Sequence, residues 1–596
     1  MRASDVGRIW VDYEAVINYP WRVLKSSGPV HLATIRRTYK GKEYVSHLLR
    51  RSYREGDKVK SQTVGNLTAL PAAAIEAVRA VLDGLPVGRL DQAFEIERAL
   101  PHGHVLAVLG QLRQLSLDKL LAARPSRERE LAVAMIVSRV LQPDSKLATA
   151  RSLSSTSLAR TLDIEGADED ELYAAMDWLL ERQPVVEAAL ARRHLVQGGL
   201  VLYDLTSVYL EGSKCELARR GYSRDGKRGL PQIEFGIITN ADGCPVGVDV
   251  FEGNLADPKT VEAQVDKIKE RFGITQMALV SDRGMLTSAR IEALKEVGGV
   301  SWISALRSTQ IATLVKDGDL QLGLFDQRNL AEITSPKFPG ERLVVCKNPA
   351  LAEDRARKRE ELLQATEQEL DKVVESVAAG RLKTAAAIGE RVGRIVARFK
   401  VGKHFVREIG EGSFSYRRDQ AKIEAEARLD GLYVIRSNVA PEVLSDQDLV
   451  RSYKLLSRVE RAFRTMKSVD LQVRPVYHRL ADRVRAHILL CMLAYYVRWH
   501  LERKWAPLLF RDERPPLQED PVAPARRSES ALEKTRTGRR PDGSLVYSFR
   551  GLLSELATLT KNTVRLPGSE VAFDKLALPT PIQTEALRLL GLSASL

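Results

Sequence analysis

The order of apolar segments in residues 199–306 constrains the fold most strongly, because it sets how strands and helices alternate. The run "GLVLYDLTS" predicts a strand over 200–206, and two more strands flank an Asn-Ala-Asp-Gly turn at 240–243. A helix over 257–273, the strand "ITQMALVSD", a helix over 287–297 and the strand "SWISAL" follow. The order β-β-β-α-β-α-β predicts an α/β fold, in which a mixed sheet carries helices on its faces.

The rest of the chain divides into regions that differ in the spacing of their apolar residues. Apolar and polar residues alternate over 30–66, which predicts a basic antiparallel sheet, whereas 72–198 has helical spacing. Strand-like pieces surround a long charged helical hairpin at 351–378, and helices are predicted over 446–467 and 481–502. The predicted organisation is a basic N-terminal β region (1–70), a helical region (71–198), a core in two parts (199–310 and 441–505), an α+β insertion between those parts (311–440) and a partly flexible C-terminal tail (506–596).

Charge and cysteine content narrow the class of partner. The formal net charge is +14 and the pI is about 9.5, which favours a polyanionic partner such as nucleic acid. The four cysteines are far apart and form no CxxC pair, so the sequence indicates neither a zinc ribbon nor a disulfide framework. The longest apolar stretch, 487–497, is too short to span a bilayer, and residues 1–10 lack an apolar signal core. We expect a cytoplasmic protein with no membrane partner.

Two apolar strands end on a carboxylate, Asp204 in one case and Asp282 in the other. The ends of neighbouring strands lie about 5 Å apart in a sheet. Two carboxylates at that distance repel each other unless a cation holds them, and Asp oxygens suit Mg²⁺ or Mn²⁺. Taken singly, an Asp after a strand is more often a turn or a helix cap.

A third carboxylate comes from the predicted helix over 446–467. Glu460 lies at the edge of the apolar stripe, between Tyr453, Arg464 and Lys467, so it borders both the core and a basic face. A Glu among arginines is more often a surface ion pair. Three such acids in this strand order and in a basic protein are harder to explain by chance. The apolar stripe consists of Leu449, Leu456, Val459, Phe463 and Met466.

Four segments together carry a family resemblance. The stretches "YDLTSVYLEG", "GYSRDGKRGLPQIEFGIITNADGCPVGVDVFEGN", "LVSDRGM" and "SYKLLSRVERAFRTMK" resemble the DDE transposases of bacterial insertion sequences. The similar group is the cut-and-paste one with a Tyr-x2-Arg-x3-Glu-x6-Lys signature. The resemblance implies that Asp204, Asp282 and Glu460 are the catalytic metal ligands.

The signature also implies DNA contacts. Tyr453 and Lys467 fall on its first and last positions, but Leu456 stands where the group has Arg. One expected phosphate contact is therefore missing, and we expect Arg458 or Arg464 to replace it.

The resemblance further implies an RNase H-like fold, interrupted by an insertion before the last catalytic helix. It implies two Mg²⁺ (or Mn²⁺) ions per site, which activate the nucleophile and stabilise the leaving oxygen. Water attacks at the transposon end, and the freed 3′-OH then attacks the opposite strand or the target DNA. The expected partners are double-stranded DNA, as terminal inverted repeats and as target, and a second copy of the chain, because two ends must be cut together.

Two alternatives stay open from the residues alone. One is a structure-selective DNA nuclease on the same fold, and the other is a non-catalytic DNA-binding protein derived from a transposase. The intact Asp-Asp-Glu set argues against the second. The N-terminal sheet and the helical region are the candidates for recognition of the DNA ends. The basic loop 221–229 is equally consistent with a phosphate contact and with a solvated turn.

Overall fold

A computed structural model describes residues 29–84, 94–212, 214–227, 229–325, 329–468, 470–566 and 571–594. Residues 1–10, which lack an apolar signal core, lie outside the described residues. The chain divides into two compact units, Met1–Arg98 with Asn562–Lys575 and Ala99–Lys561 with Leu576–Leu596. In the described residues, no helix is both long and apolar enough to cross a membrane.

The predicted basic sheet is confirmed. Strands β1 (Val30–Tyr39), β2 (Lys42–Glu55) and β3 (Lys58–Asn66) form an antiparallel sheet in that order. Its two turns place Gly41 and Gly56 at φ of 75° and 59°, a region that a side chain would strain. Helix α1 (Ala72–Leu82) follows the sheet.

Helices occupy most of 103–194, where the spacing of apolar residues predicts them, but a strand that was not predicted precedes them. After strand β4 (Glu95–Pro101), short loops join a series of helices whose apolar faces form part of the main core. Asp168 begins one of them with a reciprocal capping box to Glu171, so the start of that helix is fixed by its own sequence. The helices are α2 (Gly103–Gln114), α3 (Leu117–Leu121), α4 (Arg127–Leu141), α5 (Lys146–Ser152), α6 (Leu158–Leu162), α7 (Glu169–Glu181) and α8 (Gln183–His194).

The core region has the predicted element order. Its first strands pair as antiparallel neighbours, and the turn between the second and third lies at Asn240–Cys244 as expected. The helix after Asp257 ends in a π-helical turn, Lys267–Arg271, before Gly273. The elements are β5 (Leu200–Tyr209), β6 (Gln232–Asn240), β7 (Pro245–Glu252), α9 (Pro258–Asp266), β8 (Met277–Val280), α10 (Ser288–Val297) and β9 (Val300–Ala305).

The insertion differs from its prediction in one respect. Residues 351–378 are not a hairpin but most of a single 30-residue helix, which packs against the next helix around Leu370 and Ile388. No Gly or Pro interrupts this stretch, so nothing in it turns the chain back. The elements are α11 (Ser308–Lys316), β10 (Leu330–Ile333), β11 (Arg342–Lys347), α12 (Pro349–Ala378), α13 (Ala385–Phe399), β12 (Phe405–Gly410), β13 (Ser413–Arg418), α14 (Gln420–Ala427) and β14 (Leu432–Ser437).

Three strands of the insertion extend the main sheet. The eight strands lie in the order β10-β11-β14-β9-β8-β5-β6-β7. Strands β5, β8 and β9 are parallel neighbours and the other pairs are antiparallel, so the sheet is mixed as predicted. Strands β5 and β8 lie inside the sheet with partners on both sides, which agrees with their apolar sequences.

The C-terminal half of the core contains three helices where two were predicted. The expected helix over 446–467 breaks at Leu455 into α15 (Asp446–Lys454) and α16 (Leu456–Lys467). The apolar stripe nevertheless stays on one side, because all five of its residues are buried. Helix α17 (Ala481–Lys504) is buried along most of its length.

The segment for which a partly flexible tail is predicted contains helices and strands from Glu529 onward. Leu552 and Leu556 are fully buried and belong to the main core, so this segment folds onto the rest of its unit. The elements are α18 (Glu529–Thr537), α19 (Phe549–Ala557), β15 (Thr560–Arg565), β16 (Ala572–Leu576) and α20 (Pro581–Leu590), and β15 lies between β16 and β4 in a three-stranded sheet.

A buried ion-pair network joins the helical region to the core sheet. Lys267 Nζ lies 2.7 Å from Glu187 Oε2 and 2.8 Å from Asp249 Oδ2, and the Glu187 side chain is 0% exposed. Replacing Lys267 with Met leaves a buried carboxylate without its cation, so we expect a loss of about 3 kcal/mol in the free energy of unfolding. Chemical denaturation measures it. The matched control is Lys269→Met, whose ammonium contacts only carbonyls at Val297 and Gly298; equal losses in both variants would contradict the prediction.

Candidate active site

Asp204 and Asp282 lie at matching positions on adjacent parallel strands. Leu202 of β5 is opposite Val280 of β8, and each acid follows two residues later. The Ser281 hydroxyl donates a hydrogen bond of 2.9 Å to the Tyr203 carbonyl, which links the two backbone segments beside the acids. The register therefore brings the two predicted carboxylates together.

The position of Asp204 within its strand differs from the prediction. Asp204 is not at the tip of β5, because β5 continues to Tyr209 and pairs with β6 along its whole length. Strand β8 ends at Val280, so within the described residues the β8 side of β5 has no strand partner over 203–208, before Val476 approaches Tyr209 and Leu210. A side chain in mid-strand can thus border an open site.

Glu460 reaches the same site from helix α16. Phe463 of this helix packs edge-on against Phe235 of β6, with ring centroids 5.4 Å apart. Glu460, which is exposed, then lines one cavity of about 640 Å³ with Asp204 and Asp282. All three predicted carboxylates border this cavity.

The three acids interact electrostatically. The pKa of Asp204 is raised to about 7, mainly by burial and in addition by the charges of Asp282 and Glu460, although a hydrogen bond from the Leu205 amide and the charge of Arg224 act in the opposite direction. A carboxyl that is both desolvated and repelled by two other carboxylates is the signature of a site that needs a cation. The hard oxygen donors fit a divalent ion such as Mg²⁺ or Mn²⁺.

The spacing of the acids is wider than a single compact ligand sphere. Within the described residues, the only three potential metal ligands whose atoms all lie within 4.8 Å of one another are His194, Cys244 and His500. The sequence did not reveal that group, because its members are scattered along the chain. The acidic group is more open than this, so one ion does not contact all three carboxylates without side-chain movement.

Tyr453 lies at the site as its signature position predicts. Its hydroxyl is 3.4 Å from Asp282 Oδ1, and burial together with that carboxylate raises the pKa of Tyr453. The phenol therefore stays protonated and donates to Asp282. This contact limits the orientation of the carboxylate.

The basic side chains that were predicted to contact DNA do not all lie near the cavity. Lys467 is held near the site, because its ammonium lies 2.8 Å from Thr206 Oγ1 and 2.9 Å from Asp225 Oδ1. Arg458 differs from its prediction: it donates to the Ala241 carbonyl at 2.6 Å and pairs with Asp242, so the β6–β7 turn holds it away from the cavity. Arg464 is exposed on α16 and does not line the cavity.

Three further charged residues line the cavity, namely Arg224, Asp257 and Lys454. Arg224 and Asp257 form an ion pair of 2.7 Å, and the Arg224 amide donates to the Ser207 hydroxyl. A methyl group added at Gly284 would lie 3.8 Å from both the Asp257 and Asp282 carboxylates, so these acids border one small space. The sequence predicts Asp257 only as the start of a helix, but its side chain makes no cap hydrogen bond.

The chain matches two protein-family models and is similar to solved structures. Residues 197–497 match the family model of the transposase DDE domain, and residues 32–93 match the N-terminal domain of IS1634 family transposases. A search of curated proteins finds no match. Among solved structures, the chain is similar to a cryo-EM structure of a piggyBac transposase synaptic complex with hairpin DNA, at 7% identity and a TM-score of 0.34, over 76% of this chain and 79% of that one.

The DDE family model covers just over half of the 596 residues and spans all three carboxylates. The chain therefore belongs to the DDE transposases of insertion sequences, enzymes that cut DNA and transfer its strands.

Proposed function

We propose that Asp204, Asp282 and Glu460 are the catalytic residues of this transposase and hold two divalent metal ions, Mg²⁺ or Mn²⁺. The observation that carries the proposal is the shared cavity, which Asp204 and Asp282 enter at one register and Glu460 enters from α16. The open spacing of the acids and the raised pKa of Asp204 favour two cations over one. When bound, such ions would supply Lewis-acid stabilisation of charge on the phosphate oxygens.

The chain's own residues would orient the reaction. Tyr453 fixes the Asp282 carboxylate, while Lys467 and Arg224 place positive charge at the cavity edge for the DNA backbone. Arg464 is free to reach a phosphate from the exposed side of α16, and it thereby takes the role that Leu456 cannot. Together these groups would hold the scissile phosphate for in-line attack by water and then by a 3′-OH.

The proposal extends to the architecture. The eight-stranded mixed sheet with α16 beside it is consistent with an RNase H-like core, interrupted by an insertion over 311–440. We assign end recognition to the basic β region (1–70) and the helical region (71–198), with the core over 199–310 and 441–505 and the tail over 506–596. A homodimer is proposed for the DNA complex, because two ends must be cut together.

The test is cleavage of a labelled duplex that carries the element's own terminal inverted repeat. We expect strand cleavage at the repeat boundary in Mg²⁺ and none in EDTA, with strand transfer when target DNA is added. A matched duplex with a scrambled repeat is the control. Cleavage of both duplexes with equal rates, and without strand transfer, would contradict the proposal and favour a structure-selective nuclease.

A further inference from the structure

A second, larger cavity of about 670 Å³ lies outside the acidic site. Helices α4, α5, α7 and α17 contribute to its wall, together with the segment between α16 and α17. Its lining holds five cationic side chains and one carboxylate, that of Asp144. The cations are Arg139, Lys146, Arg474, Arg479 and Arg483.

Most of this positive charge has no acidic partner. In the part of the chain that the structure describes, Arg474 pairs with Asp225 and Arg483 lies 3.7 Å from Asp177. No carboxylate is recorded there within 4.0 Å of Arg139, Lys146 or Arg479. The Asp144 side chain accepts instead from the Ser145 amide, and Arg139 donates to the Asp144 backbone carbonyl.

Lys146 is the most unusual of these cations. It is only 4% exposed, and its ammonium contacts His487 Nδ1 at 3.4 Å. Burial and the charge of Arg139 lower the pKa of Lys146 to about 7. Burial of a lysine without a counter-ion is unfavourable in free energy, and a bound anion would compensate it.

The two histidines of the cavity, His478 and His487, are neutral and do not change its net charge. His487 donates from Nε2 to the Val473 carbonyl, so its Nδ1 is the acceptor for Lys146. Burial and the same cations lower the pKa of His478 to about 3 and hold the pKa of His487 well below its ordinary value. Both rings are therefore neutral near pH 7, and the cavity keeps its excess of positive charge.

The cavity is connected to the acidic site through β5. Val476 of the lining segment pairs with Leu210 just beyond the end of β5, and the Glu211 amide donates to the Val476 carbonyl at 2.9 Å. Arg474 and Lys467 share Asp225, and Lys467 also contacts Thr206. Leu210 lies six positions after Asp204, about 20 Å along a strand. Leu210 also lines a small pocket with Arg479, so this distance approximates the interval from Asp204 to the rim of the cavity.

One DNA molecule is long enough to contact both the acidic site and the basic cavity. Successive phosphates of a DNA strand advance about 3.4 Å along the helix axis, so about six nucleotides cover the interval. Burial increases from the exposed Arg479 through the half-buried Arg474 and Arg483 to Arg139 and Lys146, which is the profile of a recess.

From these observations we propose that the cavity, with Lys146 and Arg139 at its buried end and Arg479 at its rim, binds a backbone phosphate of the transposon DNA about six nucleotides from the cleaved bond. The inference rests on the proposed DNA cleavage function but needs neither metal nor catalysis. Phosphate binding here would fix the register of the DNA relative to Asp204, Asp282 and Glu460.

The experiment measures binding of a fluorescent terminal-repeat duplex by anisotropy in EDTA, so that failure of the catalytic assignment does not affect it. We expect Arg479→Ala and Lys146→Met each to raise the Kd about tenfold, and Arg479→Ala to reduce the slope of log K against log salt by about one. The control is Arg485→Ala on α17, which begins just after Arg479; Arg485 pairs with Asp482 and does not line the cavity, so the Kd of this variant should change less than about twofold.

A scan with single methylphosphonates, which remove one phosphate charge at a time, locates the contact. Wild type should lose affinity at one or two positions about six nucleotides from the cleavage site, and the Lys146→Met and Arg479→Ala variants should not lose more at those positions. Melting temperature without DNA separates binding from folding, because removal of an uncompensated buried charge should leave Lys146→Met at least as stable as wild type. The proposal would be overturned if both variants bound DNA with wild-type affinity. It would also be overturned if methylphosphonates reduced the affinity of the variants as much as that of wild type at every position.

Discussion

Glu460→Gln is expected to reduce cleavage of terminal-repeat DNA by about a thousandfold at saturating Mg²⁺, because the amide replaces a charged oxygen donor in the acidic site. The side chain is exposed at the edge of α16, so the helix and its buried stripe should remain folded. DNA affinity in EDTA should change less than about twofold. Single-turnover cleavage of the labelled duplex gives the rate, and anisotropy gives the affinity.

The control for this variant is Glu442→Gln, the same substitution at an exposed position before α15. It should cleave at the wild-type rate. If Glu460→Gln also retained that rate, Glu460 would have no part in the chemistry. If it lost DNA binding to the same extent as cleavage, its role would be in substrate binding alone.

The second large effect concerns stability in the absence of metal. The pKa of Asp204 is raised in the folded protein to about 7 from an ordinary value of 3.8. The folded state therefore disfavours the charged form, and this cost is absent below about pH 4, grows as the pH rises, and is complete above pH 7. In EDTA at pH 8 we expect Asp204→Asn to raise the free energy of unfolding by about 2 kcal/mol, less than the roughly 4 kcal/mol of the full pKa difference, because part of the side chain is solvated.

Divalent metal should reverse the order of the two proteins. Ions bound only by the folded state stabilise it by mass action, and the wild type would gain this term while Asp204→Asn would lose most of it. Thermal denaturation at pH 5 and pH 8, with Mg²⁺ and with EDTA, measures all four conditions. A wild type that is more stable than the variant in EDTA at pH 8 would show that Asp204 is not a strained, uncompensated acid.

The site acids could be found in the sequence because each stands in a strong local pattern. Asp204 and Asp282 follow apolar runs, and Glu460 lies on a helix whose buried stripe is unambiguous. Their convergence depends on the parallel pairing of β5 with β8, two strands that are not consecutive in the chain. The predicted length of β5 was too short, because an acid in mid-strand resembles a strand end.

Other features depend on tertiary contacts that local patterns do not encode. Arg224 reaches Asp257 only because its loop folds back over the end of β5, and Arg458 is drawn to the β6–β7 turn. The helix break at Leu455 has no Pro or Gly to mark it. The attachment of β10, β11 and β14 to the main sheet requires pairings across a long insertion, for which the sequence contains no register signal.

The most direct test of whether these carboxylates bind metal is to replace Asp282 with Cys and to compare cleavage of the terminal-repeat duplex in Mg²⁺ and in Mn²⁺. A thiolate is a poor ligand for Mg²⁺ but a better one for the softer Mn²⁺. We predict that Asp282→Cys loses cleavage in Mg²⁺ and regains a measurable fraction of it in Mn²⁺, whereas Asp282→Ala stays inactive in both. Full activity of Asp282→Cys in Mg²⁺, or equal loss in both metals, would contradict a direct role of Asp282 as a metal ligand.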